Sequence, residues 1–158
     1  MGKVWFVGAG PGDPELLTLK GRALIERAGA ILYAGSLVSE AATRFAPPAC
    51  EIVDSRDMTL ERITDWLIEK AATHATVVRL QTGDPTLYGA LIEMVQPLDA
   101  AGIEIGVVPG VSSAMASAAA AVESLTLPEV TQTVILTRIE GRTPMPEGES
   151  LQELAQHH

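Results

Sequence analysis

The chain has 158 residues, of which 47% are hydrophobic and 20% charged, a composition typical of a well-buried globular domain rather than a disordered chain. Its 20 acidic and 11 basic residues give a net charge of −9, which argues against nucleic acid or an anionic membrane surface as a partner. No stretch approaches the roughly 20 consecutive apolar residues of a membrane helix. The single cysteine, Cys50, excludes an internal disulfide and fits a reducing cytoplasm, where we expect the protein to act.

Short apolar runs separated by helical patterns predict an α/β fold. The predicted strands are Val4 to Gly8, Ala30 to Ala34, Glu51 to Asp54, Thr76 to Leu80 and Ile103 to Val108. Four helices are predicted between these strands. The first carries Leu16, Leu17, Leu24, Ile25 and Ala28, and the second, within Ser39 to Ala46, has a weak pattern. The third, over Leu60 to Ala71, and the fourth, from Tyr88 to Leu98, have stronger patterns. The alanine-rich run Ala114 to Val122 predicts a further, buried helix. We therefore expect a mostly parallel five-stranded sheet with helices on both faces.

The pattern changes after Val122. Residues 125–128 are typical of a linker, and TQTVILT at residues 131–137 predicts a sixth strand. A proline- and glycine-rich loop follows, and Ser150 with Glu153 forms a capping-box pattern at a helix start. One strand and one helix start are too little to bury a separate core. We expect residues 1–123 to be one α/β domain and residues 124–158 to be a linker and the beginning of a second α/β domain of a longer protein.

The stretch VVRLQTGDPTLYG at residues 77–89 joins a buried strand to a helix. Its Gly-Asp-Pro turn falls at the carboxyl edge of the predicted sheet, where open α/β sheets bind their ligands. Asp84 has two interpretations: a turn or cap residue, with Pro85 in the first helical turn, or a polar group of a binding site.

Two further glycine turns follow predicted strands, GAGPGDP at residues 8–14 and PGVSS at residues 109–113. The first is a poor match to a dinucleotide fingerprint, because Pro11 and Pro14 interrupt the helix entry and the second strand ends in Tyr33-Ala34-Gly35 instead of an acid. Asp13 is the polar group there best placed to orient a substrate or take a proton. We expect the first loop (residues 8–14), the second loop (residues 82–88) and the third loop (residues 109–113) to lie along one sheet edge.

Other kinds of site are not indicated. No group of His, Cys, Asp or Glu has the spacing of metal ligands, so no protein-bound metal is expected. Neither a nucleophile elbow nor a P-loop is present in the sequence.

Three segments, VGAGPGDPELLTLKG, RLQTGDPTLYG and VVPGVSSAMA, together resemble the tetrapyrrole (uroporphyrinogen and precorrin) methyltransferase family and occur in the family's order. YAGSLV at residues 33–38 and LTLPEVTQTVILTRIEGRTPMPEGESL at residues 125–151 are similar to its precorrin-4 C11-methyltransferase branch, including the cobalt-precorrin-4 enzymes. The resemblance covers essentially the whole chain.

The resemblance implies methyl transfer from S-adenosylmethionine to ring carbon C11 of a contracted tetrapyrrole in cobalamin and porphyrin biosynthesis, with S-adenosylhomocysteine as product. It also implies two α/β domains with the cofactor in the cleft between them, and a homodimer. The family chain continues for most of another domain, which supplies the far wall of the cofactor site.

The functional residues that the resemblance implies fall in three groups. Asp13 matches an acidic residue proposed to act on the macrocycle. The cofactor positions are Pro11, Thr82, Gly83, Asp84, Leu87, Tyr88, Ser112 and Ser113. The carboxylate arms of the substrate need cations, for which the candidates are Arg44, Arg56, Arg138 and Arg142. A surface charge is the alternative interpretation of each arginine. Two alternative functions stay open, a dinucleotide-dependent oxidoreductase domain and a fragment without turnover.

Overall fold

The computed structural model describes residues 1–141 and 144–156. The chain divides into two compact units, Met1–Ala120 and Ala121–His158, and each is described by itself. No helix among the described residues combines the length and the apolar character that crossing a membrane requires.

The first unit is built on a five-stranded sheet in which all neighbouring strands are parallel. The strands are β1 (Lys3–Gly8), β2 (Ala30–Tyr33), β3 (Glu51–Asp54), β4 (Thr76–Gln81) and β5 (Glu104–Val108). Their order across the sheet is β3-β2-β4-β1-β5. The predicted α/β fold and its parallel sheet are confirmed, with each strand boundary within one residue of the prediction.

Helices cover both faces of this sheet. They are α1 (Leu19–Ile25), α2 (Leu60–Thr73), α3 (Leu91–Ala100) and α4 (Ser113–Ala121), with 3-10 turns at Pro14–Leu16 and Glu40–Thr43. Helices α2 and α3 pack against Val4, Phe6 and Leu32 on one face. Helix α1 packs against Val7 and Leu80 on the other. Because the connections after β1 and β4 leave toward opposite faces, the neighbouring ends of these two strands form a topological switch point.

Three helix predictions for this unit are wrong in part. Leu16 and Leu17 precede α1, because the Thr18 side chain accepts a hydrogen bond from the Gly21 N–H and starts the helix at Leu19, and Ala28 lies beyond its end at Ile25. Helix α3 begins at Leu91, so Pro85 is not in its first turn. Helix α4 contains no buried residue, which contradicts the predicted buried helix. Its small alanine side chains offer little apolar area to cover.

The second unit has little regular structure among its described residues. The predicted sixth strand at residues 131–137 is wrong: the one β-type pairing described there is an isolated bridge between Leu127 and Thr131. A strand needs a neighbouring strand to receive its backbone hydrogen bonds, and the described part of this unit offers none. The predicted capping box is confirmed, since Ser150 and Glu153 exchange hydrogen bonds at the start of α5 (Leu151–Leu154).

Candidate functional site

The three glycine loops meet at the carboxyl edge of the sheet, as predicted. The first and second loops are joined by a two-way backbone pairing, in which Gly83 N donates to Gly10 O at 2.8 Å and Gly10 N donates to Gly83 O at 3.3 Å. The third loop joins them through Gly110 N, which donates to the Asp84 carboxylate at 3.0 Å. Because β4, β1 and β5 are adjacent in the sheet, their three loops form one continuous platform.

Glycine is required where these loops touch. A Cβ at Gly8 would lie 2.5 Å from both Gly110 Cα and Gly83 O, and a Cβ at Gly110 would lie 2.8 Å from Gly8 Cα and still closer to Gly83 O. These neighbours are backbone atoms, which cannot rotate away as the end of a side chain can. The glycines of the three loops therefore permit a backbone approach that no other residue allows.

Asp84 ties the second loop to itself and to the third. Its Oδ1 accepts hydrogen bonds from Thr86 N at 2.8 Å and from Thr86 Oγ1 at 2.6 Å, while its Oδ2 accepts the bond from Gly110 N. Burial by itself would raise the pKa of the Asp84 carboxyl, but these hydrogen bonds outweigh burial and hold the pKa below its ordinary value. Asp84 is therefore ionised at neutral pH and positions the loops, which agrees with its interpretation as a turn residue.

A cavity of about 400 Å³ opens beside this platform. Seven of the eight predicted cofactor residues line it, namely Thr82, Gly83, Asp84, Leu87, Tyr88, Ser112 and Ser113. The eighth, Pro11, is half-buried in the first loop and does not line the cavity. The predicted residues are thus brought together by the second and third loops.

The backbone at the end of the second loop is strained where it borders this cavity. Tyr88 and Ala90 have φ values of 57° and 49°, in the left-handed region that residues with a Cβ rarely occupy. Ala90 precedes α3 and provides no side-chain cap for it. Strain of this kind persists only where the surrounding structure enforces it, and it is commonly found at ligand sites.

Asp13, the predicted catalytic residue, is exposed and lies outside the residues that line the cavity. Its Oδ1 accepts a hydrogen bond from Glu15 N at 2.8 Å and caps the 3-10 turn that follows the first loop. Its role toward a substrate stays a prediction.

The four predicted substrate arginines are placed differently. Arg44 stacks on the Phe45 ring, with 4.7 Å between its guanidinium carbon and the ring centre. Arg56, just after β3, donates to Gly35 O at 2.5 Å and lies 3.6 Å from the Asp54 carboxylate. Arg138 belongs to the second unit and donates to the backbone oxygens of Ile139 and Pro144. Arg142 lies outside the described residues.

Six cavity residues are missing from the sequence-based prediction: Ala34, Leu37, Arg79, Gln81, Gly89 and Ala90. Arg79 and Gln81 are the informative ones, because they are polar, come from β4 and are only 5% and 6% exposed. The signal that identifies them is an arginine and a glutamine two residues apart in an otherwise apolar buried strand, since alternate residues of a strand share a face.

Comparison with known proteins places this platform in a family. The model of the Tetrapyrrole (Corrin/Porphyrin) Methylases matches residues 3–158. A cobalt-precorrin-4 C(11)-methyltransferase of Methanocaldococcus jannaschii is 52% identical over 155 residues, which are 98% of this chain and 60% of that protein.

Solved structures agree with this match. The X-ray structure of a cobalt-precorrin-4 methyltransferase superposes with a TM-score of 0.92 at 47% identity, covering 98% of this chain and 65% of the other. A Thermus thermophilus uroporphyrin-III C-methyltransferase in complex with S-adenosylhomocysteine gives a TM-score of 0.70 at 40% identity, covering 84% of this chain and 53% of the other. The chain thus spans 60% of the length of the Methanocaldococcus jannaschii relative. It belongs to the tetrapyrrole methylase family.

Proposed function

We propose that the protein is an S-adenosylmethionine-dependent C-methyltransferase that acts on C11 of precorrin-4 or cobalt-precorrin-4 in cobalamin biosynthesis. The observation that carries the proposal is the loop platform with its cavity, formed at the switch point of the sheet in a chain that is 52% identical over 155 residues to a cobalt-precorrin-4 C(11)-methyltransferase. The dinucleotide alternative lacks support, because β2 ends at Tyr33 without the acid that would bind a ribose.

The residues present fit S-adenosylmethionine. The cavity volume lies within the range of about 300–1,000 Å³ that small organic ligands occupy. Its wall combines apolar side chains, Leu37 and Leu87, with the hydroxyls of Thr82, Ser112 and Ser113. One buried acceptor in the wall, Gln81 Oε1, has no hydrogen-bond partner among the described residues and is available to a ligand donor.

When bound, S-adenosylmethionine supplies a methyl group on a positively charged sulfur, which is already a strong electrophile. The chain therefore has to align two reactants, and alignment alone can lower a barrier by roughly 7–11 kcal/mol. A nucleophile with a paired base is not required for such a transfer. The rigid glycine contacts of Gly8, Gly83 and Gly110 suit this task, because they hold the three loops in one arrangement before the ligand arrives.

Each predicted site residue has a proposed part in this alignment. Thr82, Ser112 and Ser113 offer hydroxyls to the cofactor, Leu87 and Tyr88 offer apolar surface, and Asp84 keeps the second and third loops together. Pro11 would bound the cofactor from the first loop, and Asp13 would act on the macrocycle. Arg44, Arg56, Arg138 and Arg142 would pair with the carboxylate arms of the tetrapyrrole.

Three proposals concern the setting of this activity. We propose that the enzyme is a homodimer, as the family resemblance implies, and that it acts in the cytoplasm, for which the single unpaired Cys50 is the support. We further propose that residues 124–158 are a linker and the beginning of a second α/β domain. Sedimentation equilibrium tests the first of these directly, and a single species of monomer mass would contradict it.

A methyl-transfer assay tests the function. The protein is incubated with S-adenosylmethionine carrying a labelled methyl group and with either precorrin-4 or cobalt-precorrin-4, and the tetrapyrrole is analysed by mass spectrometry and carbon NMR. We expect one methyl group to be added at C11 and one S-adenosylhomocysteine to form per transfer. Methylation at another carbon contradicts the proposed position, and no transfer to either substrate by folded protein contradicts the function.

A further inference from the structure

Arg79 is a buried cation in the wall of the cavity. Its side chain is 5% exposed, and only one of its nitrogens has hydrogen-bond partners among the described residues: Nη1 donates to Ser55 Oγ at 2.7 Å and to Leu32 O at 3.4 Å. Nε is shielded from solvent and finds no acceptor in the described part of the chain. The guanidinium thus keeps donor capacity that the fold does not use.

The charge of Arg79 is also left without a close counter-ion. Among the described residues no carboxylate forms an ion pair with it. Asp54 acts on it from a distance, but the Asp54 carboxylate accepts hydrogen bonds from Gly35 N at 3.0 Å and Arg56 N at 2.9 Å. Burial lowers the pKa of Arg79 to about 10, against the opposite effect of Asp54, so the group stays charged at neutral pH.

A buried charge without a paired partner destabilises a folded protein, and an apolar side chain of similar size at this position would stabilise the fold more. The cavity that Arg79 lines offers room for the missing anion. Arginine is suited to bind a carboxylate, because its planar group presents parallel N–H donors.

We propose that Arg79 is a binding residue of this site and receives a ligand carboxylate in the cavity. The inference rests on the proposed function, which offers two sources of that group: the amino-acid end of the cofactor and a carboxylate arm of the tetrapyrrole. This role is separate from those proposed for Arg44 and Arg56, which are exposed, and for Arg138, which donates to exposed backbone.

Side-chain NMR of the protein tests the contact without relying on turnover. The Nε–H resonance of Arg79 is assigned by its loss in Arg79→Lys. S-adenosylhomocysteine is then added, and in parallel 5′-methylthioadenosine, which keeps the adenine and ribose but lacks the amino-acid end. A shift with S-adenosylhomocysteine alone identifies the cofactor carboxylate, whereas a shift that appears only with the tetrapyrrole identifies a substrate arm.

Affinities of variants provide the second measurement. If the cofactor supplies the carboxylate, Arg79→Gln should bind S-adenosylhomocysteine roughly 10- to 100-fold more weakly, as expected for a lost charged hydrogen bond, and bind 5′-methylthioadenosine unchanged. If the substrate supplies it, only the KM for the tetrapyrrole should rise. The control is Arg27→Gln, an exposed arginine just before the amino end of β2, at the opposite edge of the sheet.

A purely structural role of Arg79 predicts something else. Weaker binding of both adenosine compounds to the same degree, with no shift of the Arg79 Nε–H on adding any ligand, would overturn the proposal. Unchanged affinities and KM in Arg79→Gln would overturn it as well. Should Arg79→Gln fail to fold, Arg79→Lys, which keeps the charge but not the planar fork, replaces it.

Failure of the proposed function is distinguishable from failure of this inference. If the wild-type protein binds no S-adenosylhomocysteine and transfers no methyl group, the proposed function is wrong. Sodium acetate then serves as the probe for Arg79. A saturable shift of its Nε–H with acetate supports a carboxylate site, and the absence of such a shift overturns it.

Discussion

Replacing Gly8 by alanine tests whether glycine contacts hold the three loops together. The added methyl carbon would lie 2.5 Å from Gly110 Cα, 2.5 Å from Gly83 O and 2.6 Å from Gly110 N. Real Cβ atoms essentially never come closer than 3.0 Å to such neighbours, so backbone must move by several tenths of an ångström. Overpacking typically costs about 1–3 kcal/mol, and we expect the upper end because every neighbour is backbone.

The assay is urea unfolding followed by tryptophan fluorescence. Both tryptophans, Trp5 and Trp66, belong to the first unit, so the signal reports on the sheet that carries the loops. The matched control is Gly21→Ala, whose methyl would meet only side-chain atoms, Val7 Cγ1 at 3.0 Å and Thr18 Oγ1 at 3.1 Å. Alanine also favours helix over glycine by about 1 kcal/mol, so this control should stay close to the wild type.

The two variants should therefore differ clearly in the free energy of unfolding. We expect Gly8→Ala to lose about 3 kcal/mol, equivalent to roughly 6–12 °C in Tm, and to bind S-adenosylhomocysteine more weakly because the loops are displaced. Equal free energies of unfolding of the two variants would contradict this prediction, since they would show that the loop backbones can move apart without loss of stability.

Substitutions of Asp84, Ala90 and Arg56 provide three further tests. Asp84→Asn should lower the free energy of unfolding at pH 7 by about 1–2 kcal/mol. Because the folded-state pKa of Asp84 lies below its ordinary value, the difference in stability from the wild type should shrink as the pH falls below about 4. A difference that stays constant down to pH 2 would contradict the role of the ionised Asp84 carboxylate. Ala90→Gly should raise the free energy of unfolding by about 0.5–1 kcal/mol, because it relieves a left-handed φ of 49°, and a less stable variant would contradict this. Arg56→Gln should raise the KM for the tetrapyrrole about tenfold without changing the affinity for S-adenosylhomocysteine, measured against Arg27→Gln, and an unchanged KM would remove Arg56 from the substrate site.

The central strands of the sheet were predictable because they are buried on both faces and are therefore largely apolar. Val77, Val78 and Leu80 mark β4 without any knowledge of its neighbours. Residues 131–137 have a similar composition and still form no strand, because strand pairing depends on a partner elsewhere in the chain that the local pattern does not reveal.

The limits of the site prediction have equally local causes. The three loops were predictable from glycine and proline after strands, and their convergence followed from the parallel sheet. The start of α3 could not be predicted in this way, because the surrounding structure imposes left-handed conformations on Tyr88 and Ala90 that these residues do not prefer. Arg79 and Gln81 are absent from the predicted site because they lie within β4, whose apolar residues indicate a buried strand and not a binding site.

Calorimetric titration with S-adenosylhomocysteine measures whether the loop platform binds an adenosyl cofactor. NADH is titrated in parallel as the control ligand, and circular dichroism establishes that the protein is folded. We expect saturable binding of S-adenosylhomocysteine and none of NADH. Binding of NADH alone, or of neither ligand by the folded protein, would contradict this expectation.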